Sequence, residues 1–208
     1  MNRWMKKLTL LLTVILCVSS FVLQASAYSA DSKTLTRKLN AALIPGKLTY
    51  ADLYDIDKVD KQDLQAFAKE MKRRSGKVFL KFTTLDVDKK TAARIIINPN
   101  LVKSDTGAYN FRVLNNTVES EAARTKFEKL WGKDVSVIHC LEADYGMTVV
   151  LSAKIDLTGM DTDNLVAYAY NADKKTYKVI EDAECTVDKL GFVHLQTSIG
   201  GLLLITTA

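Results

Sequence analysis

Beyond the first 27 residues the chain has two histidines and two cysteines, types that do nucleophilic or metal chemistry: His139, Cys140, Cys185 and His194. A cysteine–histidine pair needs the thiol within hydrogen-bond reach of a base that a third group orients. The spacing supplies no such third group, and neighbours such as His139 and Cys140 point to opposite faces of a strand. As zinc ligands the four have suitable chemistry but lack the compact spacing of a structural site. Histidines filling cross-strand pairs are therefore the expectation. Cys140 and Cys185 could also form a disulfide with each other, which depends on their separation in space; buried free thiols are the other reading.

Hard oxygen ligands collect in the turn 156–164, where Asp156, Asp161 and Asp163 could hold calcium. Solvated turn chemistry accounts for the same residues without an ion, so no cofactor is expected and calcium is the one candidate. A second acidic run, 52–64, can be laid over the calcium loop of the dockerin modules of cellulose-degrading complexes, which it resembles at Asp52, Lys58, Val59, Asp63 and Leu64. Tyr54 and Ile56 fall on two ligand positions and Asp57 replaces the usual glycine, so this run reads as the approach to a helix. Tyr168, Tyr170 and Tyr177 flank the turn 171–175 and are the candidate ligand-binding residues, able to stack on a sugar ring or anchor a partner. Cross-strand aromatic pairing would place them there equally.

Three amphipathic helices are expected. One covers 31–44 through Leu35, Leu39, Ala42 and Leu43, and Pro45-Gly46 ends it. The next runs from Asp60, with Asp63 completing an imperfect capping box, through Leu64, Phe67, Ala68 and Met71 to Gly76. The third spans about 119–131, with Ala123, Phe127, Leu130 and Trp131 on one stripe and Gly132 as its stop. From Val78 the period becomes two, and strands are expected at 78–83, 93–98, 109–114, 135–143, 147–157, 165–171, 176–182, 185–188, 192–197 and 202–206. The expectation is a mainly β protein: a two-sheet antiparallel β-sandwich of immunoglobulin-like architecture at 77–208, an N-terminal helical segment at 28–76 and one inserted helix. Alternating βαβ units are not evident, which argues against a parallel sheet.

The opening of the chain has Arg3, Lys6 and Lys7, an apolar run over 8–18 and the small-residue site Ala25-Ser26-Ala27. Residues 1–27 therefore read as a cleavable export signal, leaving a secreted or surface-associated protein that begins near Tyr28. Neither this run nor any later one reaches the roughly 20 apolar residues of a membrane span. Cleavage would remove Cys17 and three of the 29 basic residues, leaving 26 basic against 24 acidic groups, a formal +2. That near-neutrality argues against a nucleic-acid partner.

Much of the C-terminal half, roughly 127–206, resembles a β-sandwich module found in secreted proteins of Gram-positive anaerobes. The residues that carry the likeness are Tyr145-Gly146-Met147-Thr148-Val149, Ala153-Lys154-Ile155-Asp156-Leu157, Asn164-Leu165 with Tyr168-Ala169-Tyr170-Asn171, and Asp188-Lys189-Leu190-Gly191-Phe192-Val193-His194-Leu195 followed by Gly200-Gly201. Leu195 stands where that module usually has an aromatic, and the two cysteines are outside its pattern. The resemblance implies fold and export rather than activity.

No Gly-x-Ser-x-Gly elbow, P-loop, dinucleotide fingerprint or zinc-protease motif occurs. The leading expectation is thus a non-enzymatic binding or adhesion protein, its partner an extracellular protein, cell-wall polymer or glycan. A secreted hydrolase built on paired carboxylates and a structural accessory subunit are the alternatives.

Overall fold

The computed structural model describes residues 28–103, 106–114, 116–180 and 185–208. The export-signal reading of 1–27, Cys17 included, lies outside the described residues. Among them no helix is long and apolar enough to cross a membrane.

Local chemistry explains the helices. In α1 (Ser32–Ala42) the Asp31 side chain caps the first turn by accepting from the Thr34 N–H at 2.8 Å, and Leu35 and Leu39 bury one face. Helix α2 (Lys61–Arg73) starts at Asp60, which makes no side-chain cap bond; the Lys61 N–H donates instead to the Gly107 carbonyl at 2.9 Å. The expected capping box is therefore replaced by a backbone contact. Thr117 caps α3 (Val118–Trp131) through the Ser120 N–H, and Gly132 ends it in the left-handed conformation at φ 63°.

Among the described residues the chain is mainly β, with three sheets and no closed barrel. Six strands form the largest: β2 (Leu48–Tyr54), β4 (Lys77–Leu85), β5 (Thr91–Ile97), β9 (Asp144–Lys154), β13 (Phe192–Ile199) and β12 (Thr186–Val187), in the order β12-β13-β9-β5-β4-β2. Five more form the second: β7 (Val113–Leu114), β8 (Val135–Cys140), β10 (Leu165–Asn171), β11 (Thr176–Val179) and β14 (Leu202–Thr207), in the order β11-β10-β14-β8-β7. The third joins β1 (Tyr28–Ala30), β3 (Ile56–Asp60) and β6 (Ala108–Asn110).

These sheets correct two expectations. Residues 28–76 are not a helical segment apart: they contain β1, β2 and β3, and β2 is hydrogen-bonded to β4 from Leu48↔Lys77 to Tyr54↔Thr83. That pairing is parallel, as is β1 with β3, so the large sheet is mixed rather than antiparallel. The dockerin-like run 52–64 spans the end of β2, a tight turn at Asp55 with φ 53°, strand β3 and the start of α2; it is not a loop.

Register aligns the inner face of the large sheet into rows such as Leu53–Phe82–Ile95–Leu151–Leu195. One buried cluster unites these side chains with Leu35, Leu39, Leu64, Phe67 and Met71 of the helices and with Ile138, Leu203, Ile205 and Ala167 of the five-stranded sheet. Strand β14 is apolar almost throughout because both its faces are covered: Leu203 and Ile205 join this cluster, while Leu202 and Leu204 pack with Ala123 and Phe127 of α3.

The chain passes between the two large sheets at adjacent places, from β8 to β9 and from β13 to β14. The two crossings are bonded to each other by Gly200 N–H to Ala143 carbonyl at 3.0 Å and Gly201 N–H to Glu142 carbonyl at 2.8 Å. A Cβ at Gly200 would overlap the Glu142 carbonyl oxygen, so the close approach needs a glycine there.

Candidate functional site

On the α3 side of the five-stranded sheet, one cross-strand row runs Leu114–His139–Leu202–Tyr170–Tyr177. Helix α3 covers its middle, with Phe127 meeting Tyr170 edge-on at 4.9 Å and Tyr177 at 5.4 Å. Beyond the helix the row opens into a groove of about 420 Å³. Tyr170, Tyr177 and Leu202 line it with Glu119, His139, Asn171, Asp173 and Lys178, and the side-chain-free pair Gly200-Gly201 lies at its edge. Tyr177 is 46% exposed there. Lys126 reaches Tyr170 by donating to its hydroxyl at 2.9 Å and sitting 4.6 Å over its ring.

His139 Nδ1 lies 2.9 Å from the Thr117 hydroxyl, and burial lowers the imidazole's pKa, opposed by the nearby Glu119. The groove thus mixes acceptors with donors around two phenol rings: the carboxylates of Glu119 and Asp173 and the ammonium of Lys178 line it, and Lys126 adds a second ammonium beside Tyr170. Of the three tyrosines singled out by sequence, Tyr170 and Tyr177 meet in this groove. Tyr168 lies one row away, its ring 4.9 Å from Trp131 in the helix packing.

The outer face of the six-stranded sheet carries its own complete row, Tyr54–Thr83–Arg94–Ser152–His194–Thr186. Ser152 Oγ is 2.8 Å from His194 Nδ1, and His194 Nε2 is 3.1 Å from Asp188 Oδ2. Asp188 opens the turn between β12 and β13, where its Oδ1 accepts from the Leu190 N–H at 2.8 Å and the Phe192 N–H at 3.0 Å. The Phe192 bond above all, with the Leu190 bond and His194, holds its carboxyl below the usual range, so it is ionised at neutral pH. An ionised carboxylate only accepts, so the proton of neutral His194 sits on Nε2 and Nδ1 faces the serine as an acceptor. Sequence reasoning expected His194 in a cross-strand pair but named neither Ser152 nor Asp188, because the partners stand 42 and 6 residues away from the histidine.

Cys140 and Cys185 are free thiols, so the disulfide is not formed in this structure. Cys140 sits in the main core beside Tyr145, and burial pushes its thiol up to about 12; burial likewise takes Cys185 to about 11. Both are poor nucleophiles in the folded state. Asp156 accepts from the Thr158 N–H and hydroxyl, and Asp161 from the Asp163 N–H and the Asn164 amide, so their carboxylates serve their own turns. Among the described residues no three His, Cys, Asp or Glu side chains are gathered as a metal would require.

Carboxylates with raised pKa stand apart from the groove. Asp57 is raised by burial against the opposing pull of Arg112, 3.6 Å away, and Asp63 by burial and then by Asp60 and Asp31 at the helix starts. No family model, curated protein or solved structure matches the chain.

Proposed function

We propose that the protein is an exported binding protein, a two-layer β-sandwich whose groove beside α3 takes a neutral, hydroxyl-rich glycan. The observation that carries this reading is the meeting of Tyr170 and Tyr177 with Glu119, His139, Asn171 and Lys178 around one open groove. Phenol rings offer flat apolar faces with polar tips, and the mixed donors and acceptors suit sugar hydroxyls better than a polyanion. The sandwich reading is supported by the shared core of the two large sheets and by the paired crossings at Gly200-Gly201. The export reading is supported by the basic, apolar opening of the chain and its Ala25-Ser26-Ala27 site.

A glycan array probed with the folded protein tests the proposal. Retention of neutral oligosaccharides, lost in Tyr177→Ala, is the expected result. A folded protein that retains none, or retains them equally well as Tyr177→Ala, contradicts it.

A further inference from the structure

We propose that Ser152 is a nucleophile that accepts a short acyl group from an ester, with His194 as its base and Asp188 as the residue that positions the base. Three observations carry this. The hydrogen bonds link serine, imidazole and carboxylate in one chain at 2.8 Å and 3.1 Å. Asp188 is itself fixed by two backbone N–H donors, so the imidazole is oriented by a rigid group rather than a swinging one. The register also sets a cation beside the serine, since Arg94 is the β5 partner of Ser152.

The roles follow from the geometry. Ser152 Oγ attacks the ester carbonyl carbon while its proton moves to His194 Nδ1, and Asp188 stabilises the imidazolium. The charge that develops on the carbonyl oxygen faces Arg94; the backbone N–H groups of β9, a strand paired on both sides, are largely taken up by the sheet. The carbonyl–alkoxide bond then breaks, and the leaving alcohol takes the proton from His194. Water reverses the sequence: it gives a proton to His194 Nδ1 as it attacks the acyl carbon, and Ser152 leaves and recovers that proton. The net change is ester plus water to acid plus alcohol.

Ser152 is 4% exposed, hemmed in by Arg94 and His194 across the sheet and by Val150 and Lys154 along its strand. Such a site admits a small acyl group such as acetyl and disfavours a long chain.

The test treats the folded protein with an alkyl fluorophosphonate, which loses fluoride as a serine–phosphorus bond forms, and maps the adduct by peptide mass spectrometry. One adduct on Ser152 is expected, absent in Ser152→Ala and formed about a hundredfold more slowly in His194→Gln. Hydrolysis of p-nitrophenyl acetate should be lost in parallel and should exceed that of the octanoate. Asp188→Asn separates positioning from folding: its amide oxygen can keep the turn bonds while its NH2 faces Nε2 and drives the imidazole proton to Nδ1. Nitrogen NMR shifts of His194 should report that move, and labelling should slow at least about tenfold. No adduct on Ser152, an equal rate in a urea-unfolded chain, or an equal rate in His194→Gln or Asp188→Asn overturns the proposal. Glycan binding at Tyr177, on the other sheet, is untouched by that failure.

Discussion

Each large sheet turns one face outward, and each outward face carries a complete cross-strand row with a histidine, yet the two rows have opposite surroundings. The row through His139 lies under α3, among Phe127, Trp131 and three tyrosines, and becomes a groove only where the helix ends. The row through His194 is polar: Ser152 bonds to His194 and His194 to Asp188, while the Thr83 Oγ1 in the same row is buried without a hydrogen-bond partner among the described residues. Cover therefore decides what a row does. Under a helix, aromatic rings are spent on packing and their remaining edges form a recess; on the other sheet, a serine buried at the sheet surface takes its neighbour's imidazole as its partner.

The contrast can be broken at four points. The largest effects are expected at the hinge both sheets share and under α3: Gly200→Ala would force apart the bonded crossings at Glu142 and cost ~3 kcal/mol or more in urea unfolding. Phe127→Ala, which empties a fully buried site beneath Tyr170 and Tyr177, should cost about 3–5 kcal/mol, against under about 1.5 kcal/mol for Phe79→Ala on the open face. Equal losses from the two phenylalanines would show that the open face is covered in solution. Tyr177→Ala should leave the melting temperature within a few degrees of the parent and weaken glycan retention about tenfold, measured on immobilised sugar.

The smallest effect is electrostatic. His139 has a folded pKa below its ordinary 6.5, so as pH falls beneath 6.5 the unfolded chain takes up the proton first and stability is lost until the folded value is passed. His139→Gln should flatten that acid-side slope in a denaturation series. Asp188, also lowered, acts at more acid pH: its contribution is full above the ordinary 3.8 and falls away as pH drops through the folded value.

The helices were legible because each buries one stripe and stops at a clear signal, as with Phe127 and Gly132 in α3. Strand β2 was not. Leu48, Tyr50 and Tyr54 face outward at 48–54% exposure while Ala51 and Leu53 face the core, so apolar residues fill both faces and the alternation disappears. Its parallel partner β4 lies beyond β3 and α2, a long-range pairing no local pattern announces. Tyr170 and Tyr177 were legible as a pair because they flank one turn. Ser152 was not, because β9 meets His194 only through the register of strands 42 residues apart.

The most direct measurement of the central claim is an NMR titration of the folded protein with a neutral oligosaccharide retained on the array. The expected perturbations fall on His139, Tyr170, Tyr177 and Gly200-Gly201 and vanish in Tyr177→Ala. Shifts confined to the face that carries Arg94 and His194, or undiminished in Tyr177→Ala, would contradict it.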